Sequence, residues 1–207
     1  MAHETLVAAW RECQGCEAAI LEELRAALVL LHSYILIKPL VRLGDHKGAA
    51  RMLLRVCGSA EAFPCHIAPI LTTAVVECSR AGLTASAYDC AAMLMRPEHK
   101  DAINPAYRRQ IEGIVRKRNW GEDPEEDQVA CVFCSAAGSC SKLSCLHCDK
   151  PIPFCLATGK RMSLGDWAEC PACKCPANGQ PFAHMLAAQP QCPLCGAEVS
   201  ESDIIRR

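Results

Sequence analysis

The chain has 207 residues, with 22 Lys/Arg against 23 Asp/Glu for a formal charge of −1; 51% of it is apolar but only 5% aromatic. That length holds one large or two small domains, and an Ala/Leu-rich, aromatic-poor make-up leans helical. The near-neutral charge gives no electrostatic case for a nucleic-acid partner. No stretch reads as the ~18 apolar residues of a membrane span, His32 and Ser33 interrupting the richest run, so direct membrane insertion is not expected.

Residues 4–118 read as helices. From Ala18 to Ile37 the apolar positions Leu21, Leu24, Leu28, Leu31 and Ile35 recur at intervals of three and four, predicting one buried face. Pro39 predicts a kink or break. Gly44-Asp45 forms a turn, with Asp45 as N-cap of a helix to about Val56. Gly58 to Pro64 is a loop. Ile67, Ile70, Leu71, Ala74, Val75 and Cys78 mark a helix that stops at Gly82. Thr84 is the expected cap of the next, which carries Ala87, Tyr88, Ala91, Leu94 and Met95 and ends before Pro97. Asn104-Pro105 opens a last helix to about Arg118.

A faint internal repeat runs through these helices. Arg42-Leu43-Gly44 with Ala49 recurs as Arg80-Ala81-Gly82 with Ala87, 38 residues on. Each copy ends a helix, turns on glycine and starts the next with a small residue at the crossing point, the grammar of tetratricopeptide-like solenoids. The start of the chain reads as the cut end of a longer solenoid, and it lacks the charged and apolar regions of a secretory leader. A free-standing four- or five-helix bundle is the other reading.

Trp120 to Gln128 carries Gly121, Pro124 and five acids, Glu122, Asp123, Glu125, Glu126 and Asp127, and reads as a solvated linker. The expected division is therefore a helical solenoid segment over 1–119, an acidic linker over 120–129, and a second domain over 130–207.

That second domain holds four Cys-x-x-Cys pairs, Cys131/Cys134, Cys145/Cys148, Cys170/Cys173 and Cys192/Cys195. Eight thiols in pairs fit two closed tetrahedral sites, and thiolates suit zinc, an ion without a geometric preference of its own. Two zinc ions are therefore the expected cofactors. Proline after Cys170 and Cys192 and glycine after Cys195 fit the tight turn of a metal knuckle. The gaps of ten, twenty-one and eighteen residues allow a serial wiring, as in two zinc ribbons, or a cross-braced one, as in RING domains. The ten-residue return suits a short hairpin and favours the serial form. Cys140, Cys155, Cys175, His147 and His184 remain as possible replacements for a ligand, Cys155 foremost among the thiols. Of 17 cysteines, those of the first half (Cys13, Cys16, Cys57, Cys65, Cys78, Cys90) are expected to be small buried hydrophobes in a reducing compartment.

No catalytic arrangement emerges. All four pairs are complete, the pattern of a structural rather than an open zinc site, and no thiol has a demonstrated histidine partner. No catalytic residue is assigned and the protein is not expected to be an enzyme. Two four-thiolate zinc centres would also leave the segment from Cys131 net acidic, which argues against a nucleic-acid groove.

Several longer stretches resemble one family. They are Leu36-Ile37-Lys38-Pro39-Leu40-Val41, Gly48-Ala49-Ala50-Arg51-Met52-Leu53, Ala91 to Glu98, and Ile152-Pro153-Phe154-Cys155-Leu156-Ala157-Thr158-Gly159 with Asp166-Trp167 and Cys170-Pro171 after it. Over about residues 30–205 the chain resembles the C-terminal part of a subunit of intraflagellar transport complex A, which carries WD-repeat propellers followed by a tetratricopeptide-like solenoid. The resemblance implies a ciliary or flagellar scaffold, at the basal body and on the cytoplasmic side. It would partner other complex A subunits in retrograde transport and receptor entry. The competing function is a RING-like ubiquitin ligase module, which requires cross-bracing. Phe154, Met162, Trp167, Phe182 and Met185 are the candidate docking anchors, with local packing expected for about three of them.

Overall fold

The computed structural model describes residues 5, 7–9, 18–59, 64–117 and 121–206, with backbone alone for 18–22. Cys13 and Cys16 lie outside the described residues. Helix α1 runs from Ala18 to Arg42, α2 from His46 to Cys57, α3 from Ile67 to Arg80, α4 from Thr84 to Leu94 and α5 from Pro105 to Arg116. After these come short strands β1 (Gln128–Ala130) and β2 (Ala137–Ser139), then β3 (Trp167–Glu169) and β4 (Pro176–Asn178). Helix α6 (Gly179–Ala188) and β5 (Ile205–Arg206) follow. The fold class is mostly helical, a tetratricopeptide-like run followed by a small ribbon-type segment with clustered cysteines.

The chain forms two compact units that do not follow the division expected from sequence: residues 37–125 make one, and residues 1–36 with 126–207 make the other. In the helical unit, α3 packs against both α2 and α4. Its core is the fully enclosed set Met52, Leu53, Val56, Leu71, Val75 and Leu94, with small residues at close approaches, where Ala50, Cys78, Leu83 and Ala87 meet. The 38-residue repeat is real in the backbone. After Arg42, the Asp45 N–H reaches the Leu40 carbonyl at 2.9 Å and the Gly44 N–H reaches Val41 at 3.1 Å; after Arg80, Leu83 reaches Cys78 at 2.8 Å and Gly82 reaches Ser79 at 3.3 Å. Both are Schellman closures, which need a left-handed residue, and Gly44 and Gly82 supply φ of 78° and 74°. Asp45 caps α2 as expected, accepting from the Gly48 N–H at 2.8 Å.

Three local expectations are corrected. Helix α1 does not break at Pro39 but continues to Arg42. Its buried stripe is Leu28, His32, Ser33, Leu36, Ile37 and Leu40, whereas Ile35 is exposed. The helix is apolar on most sides, so its periodicity fixed no phase. For the same reason Glu23–Arg42 is, against expectation, long and apolar enough by composition to cross a membrane. Second, Thr84 does not cap α4: it is the first helical residue and Leu83 occupies the cap position without a side-chain bond. Asp123, from the acidic stretch, does the capping. Its carboxylate accepts from the N–H of Ala85 at 2.9 Å and of Ser86 at 3.1 Å, and from the Ser86 hydroxyl. The stretch is thus not simply a solvated linker, since the Pro124 carbonyl also accepts from Arg51. Third, Cys57, Cys78 and Cys90 are buried as expected, but Cys65 is exposed.

Asp123→Ala should therefore destabilise the helical unit by about 1 kcal/mol, the usual cost of a lost N-cap. Native-state hydrogen exchange checks it: the Ala85 and Ser86 amides should exchange several-fold faster, with the amides of 126–206 unchanged.

Candidate metal centres

In the other unit, β1 and β2 pair antiparallel, Gln128 opposite Ser139 and Ala130 opposite Ala137. β3 lies between β4 and β5, with Trp167 opposite Asn178 and Glu169 opposite Ile205. Each hairpin turns through a cysteine. The Cys131 N–H bonds to the Ala136 carbonyl at 2.9 Å, and the Ser135 N–H returns to the Cys131 carbonyl at 2.9 Å. The same two bonds, from C to C+5 and from C+4 to C, recur at Cys145, Cys170 and Cys192. The C+4 residue is left-handed each time: Ser135, Asp149, Lys174 and Gly196, at φ of 60°, 52°, 60° and 70°. These turns have the backbone of cysteine knuckles, and amides inside them face the sulfur, as the Phe133 N–H does Cys131 Sγ at 3.4 Å.

The structure contains a further copy that the pair pattern hid. Cys155 bonds to Lys160 at 2.7 Å, Gly159 returns to Cys155 at 2.7 Å, and Gly159 has φ of 67°. Phe154 bridges Arg161 as Ser144 bridges Pro151 and Gln191 bridges Glu198, one residue before and six after the cysteine in each case. Thr158 stands where the other four knuckles have their second cysteine. The only signals in the sequence were Cys155 and the glycine four residues after it. This third knuckle in chain order serves as an anchor for α1. The His32 ring nitrogen Nε2 lies 2.7 Å from the Leu156 carbonyl, Arg25 donates to the Ile152 carbonyl at 2.8 Å, and His32 and Phe154 ring centroids are 5.4 Å apart.

The eight paired thiols converge into two groups, Cys131/Cys134/Cys145/Cys148 and Cys170/Cys173/Cys192/Cys195, with the sulfurs of each within 4.8 Å of one another. Consecutive pairs meet, which is the serial grouping. Across the first group Cys131 and Cys148 sulfurs are 3.9 Å apart and Cys134 and Cys145 3.6 Å; across the second, Cys170 and Cys195, and Cys173 and Cys192, are each 4.0 Å apart. A tetrahedral ion with metal–sulfur bonds of about 2.3 Å sets its sulfurs about 3.8 Å apart, so both groups can hold one. The N–H groups of Cys148 and His147 point at the Cys145 sulfur and pull its thiol down to about 6, which favours the thiolate a metal needs. In the second group, thiol hydrogen bonds from Cys170, Cys175 and Cys192 hold Cys173 well below its ordinary range.

The other thiols stay outside both groups. Cys140 is buried and points to the Glu126 carboxylate, Cys155 accepts from the Asn178 N–H at 3.2 Å, and Cys175 is buried beside Cys173. His147 and His184 are exposed. Each group has its own packing. Ile152 lies with Cys131 and Cys145 in the first, and Phe182, Met185 and Leu186 of α6 are buried in the second half. Asp166 caps α6 from a distance, at 3.0 Å from the Gln180 N–H. Of the expected anchors, Met162, Phe182 and Met185 are buried packing residues, while Phe154 and Trp167 are half-buried. Among the described residues of this unit the exposed large apolar side chains are instead Phe133, Leu146 and Leu164 of the cysteine-rich segment, with Tyr34 and Ile35 on α1, Leu146 being 88% exposed.

No protein-family model matches the chain. Among curated proteins, it is 41% identical over 203 residues to WD repeat-containing protein 19 of Mus musculus and, equally, of Homo sapiens. It is 35% identical over 177 residues to WD repeat-containing protein dyf-2 of Caenorhabditis elegans. The first two matches cover 98% of this chain and 15% of the relatives' length, and the third covers 86% and 13%. These proteins are homologues, and the chain corresponds to a small part of each.

Proposed function

We propose that this chain, a homologue of part of WD repeat-containing protein 19, is a non-catalytic docking module of an intraflagellar transport complex A subunit. It acts in cilia or flagella, at the basal body and on the cytoplasmic side, in retrograde transport and receptor entry. The observation that carries the reading is 41% identity along 98% of the chain. The eight paired cysteines would hold two zinc ions, each closed by four thiolates, with no position left for water and so a structural role. The zinc would replace a large core in residues 126–206, a segment of short strands and one α-helix, and leaves Phe133, Leu146 and Leu164 exposed for partners. Exposed aromatic and aliphatic side chains of this kind are common interface anchors. The serial grouping of the sulfurs supports docking over the RING-like ligase, which needs the first pair to share an ion with the third.

The test is co-purification of the full zinc-loaded chain with each of the other complex A subunits. At least one should be recovered stoichiometrically. Replacing Phe133 and Leu146 together by Ser should reduce that recovery by about tenfold, as expected for a pair of interface anchors. Recovery of no subunit would overturn the reading, and chain formation in a ubiquitination assay with a panel of conjugating enzymes would replace it with the ligase.

A further inference from the structure

Beside the first cysteine group lies a cavity of about 210 Å³, bordered by Gly138, Ser139, Lys142, Leu146, His147 and Arg161. Its residues include no carboxylate. Arg161 follows the third knuckle, and its N–H bonds to the Cys140 carbonyl at 2.8 Å, which turns the side chain back across β2. Only 2% of Arg161 is exposed. Its Nη1 reaches the Ser139 carbonyl at 3.5 Å, a marginal bond, and Nε and Nη2 have no hydrogen-bond partner. Gly138 makes the room, since a Cβ at that position would collide with Nη1.

A buried guanidinium with no ion-pair partner among the described residues is costly to desolvate. Here the two unpartnered atoms, Nε and Nη2, are the side-on edge whose parallel N–H bonds match the two oxygens of a carboxylate. Lys142 stands exposed at the same cavity and adds a positive charge there, and the exposed His147 ring borders it. Leu146, 88% exposed, adds an apolar contact at the rim. Cys145 lines the same wall, so a metal–thiolate centre would repel a dianion more than a monoanion.

We propose that this cavity is the receptor for an Asp or Glu side chain presented by a partner chain, seated on the side-on edge of Arg161 with an apolar neighbour against Leu146. The inference rests on the docking reading and names the chemistry of one of its contacts. Both donor atoms are shielded from solvent, so seating the carboxylate requires the cavity wall over them to open.

The experiment uses the full metal-loaded chain, labelled with nitrogen-15, and follows the Arg161 Nε–H signal. The probe is N-acetyl-glutamate N-methylamide, with inorganic phosphate in a parallel titration. A saturable shift with the glutamate probe is expected, weaker with phosphate. Lys142→Glu, at an exposed position that leaves the fold intact, should weaken probe binding by about tenfold or more, and Arg161→Lys should abolish it. No saturable shift, equal or tighter phosphate binding, or unchanged binding by Lys142→Glu would each overturn the proposal. If a complex A subunit still co-purifies with Lys142→Glu at the wild-type level, the docking reading stands and this contact falls.

Discussion

Stripping the chain with a strong chelator should unfold the unit containing residues 126–206 while the helices between His46 and Arg116 persist. The strands of the cysteine-rich unit are two or three residues long, and its two groups of sulfurs lie 3.6 to 4.0 Å apart across each site. Without an ion, four thiolates that close repel one another and protonated thiols make only weak bonds. Structural zinc contributes about 10–16 kcal/mol to folding in small zinc domains, more than such a unit can lose and remain folded. The helical unit has no part in either group and keeps its own enclosed core of Met52, Leu53, Leu71 and Leu94. Near-ultraviolet circular dichroism should therefore lose the environment of Trp167 while far-ultraviolet signal falls only in part. The two sites should also fail separately. Cys131→Ser should release the β1–β2 hairpin and leave α6 packed, because Phe182, Met185 and Leu186 belong to the second half. Full loss of helical signal on chelation would refute the independence of the units.

The second large effect is expected from Leu71→Ala. Leu71 is fully enclosed on α3, the helix that packs against both α2 and α4. Truncating such a leucine removes transfer energy and leaves a cavity its neighbours fill only in part, at a cost of about 2–5 kcal/mol. For a domain of ordinary stability that is a large share of the total. Urea unfolding of the helical unit should show a midpoint lowered in proportion with an unchanged slope. Leu146→Ala, at an 88% exposed position, should stay within about 0.5 kcal/mol of the parent. A loss below about 1 kcal/mol for Leu71→Ala would mean that α3 is not the centre of the stack.

Features legible in the sequence were those whose chemistry is local. Asp45 sits three residues before the amide it caps, Gly44 and Gly82 stand at the left-handed positions of two matching helix ends, and each paired cysteine lies within one knuckle of its mate. Features fixed by distant partners were not legible. Asp123 caps a helix that begins 39 residues earlier, and Asp166 caps α6 across a hairpin. Helix α1 is apolar around most of its circumference, so only the structure shows that its buried stripe includes His32, which is held by the third knuckle. That knuckle itself was hidden because Thr158 replaces the second thiol while the backbone bonds persist. The grouping of residues up to 36 with the cysteine-rich segment follows from the same contacts, which no local pattern encodes.

The most direct test of the account is the metal content of the purified, folded chain. Elemental analysis by mass spectrometry, referenced to protein concentration, should give two zinc ions per chain, falling to one in Cys131→Ser or Cys192→Ser. A folded wild-type chain with one zinc ion or none would contradict it.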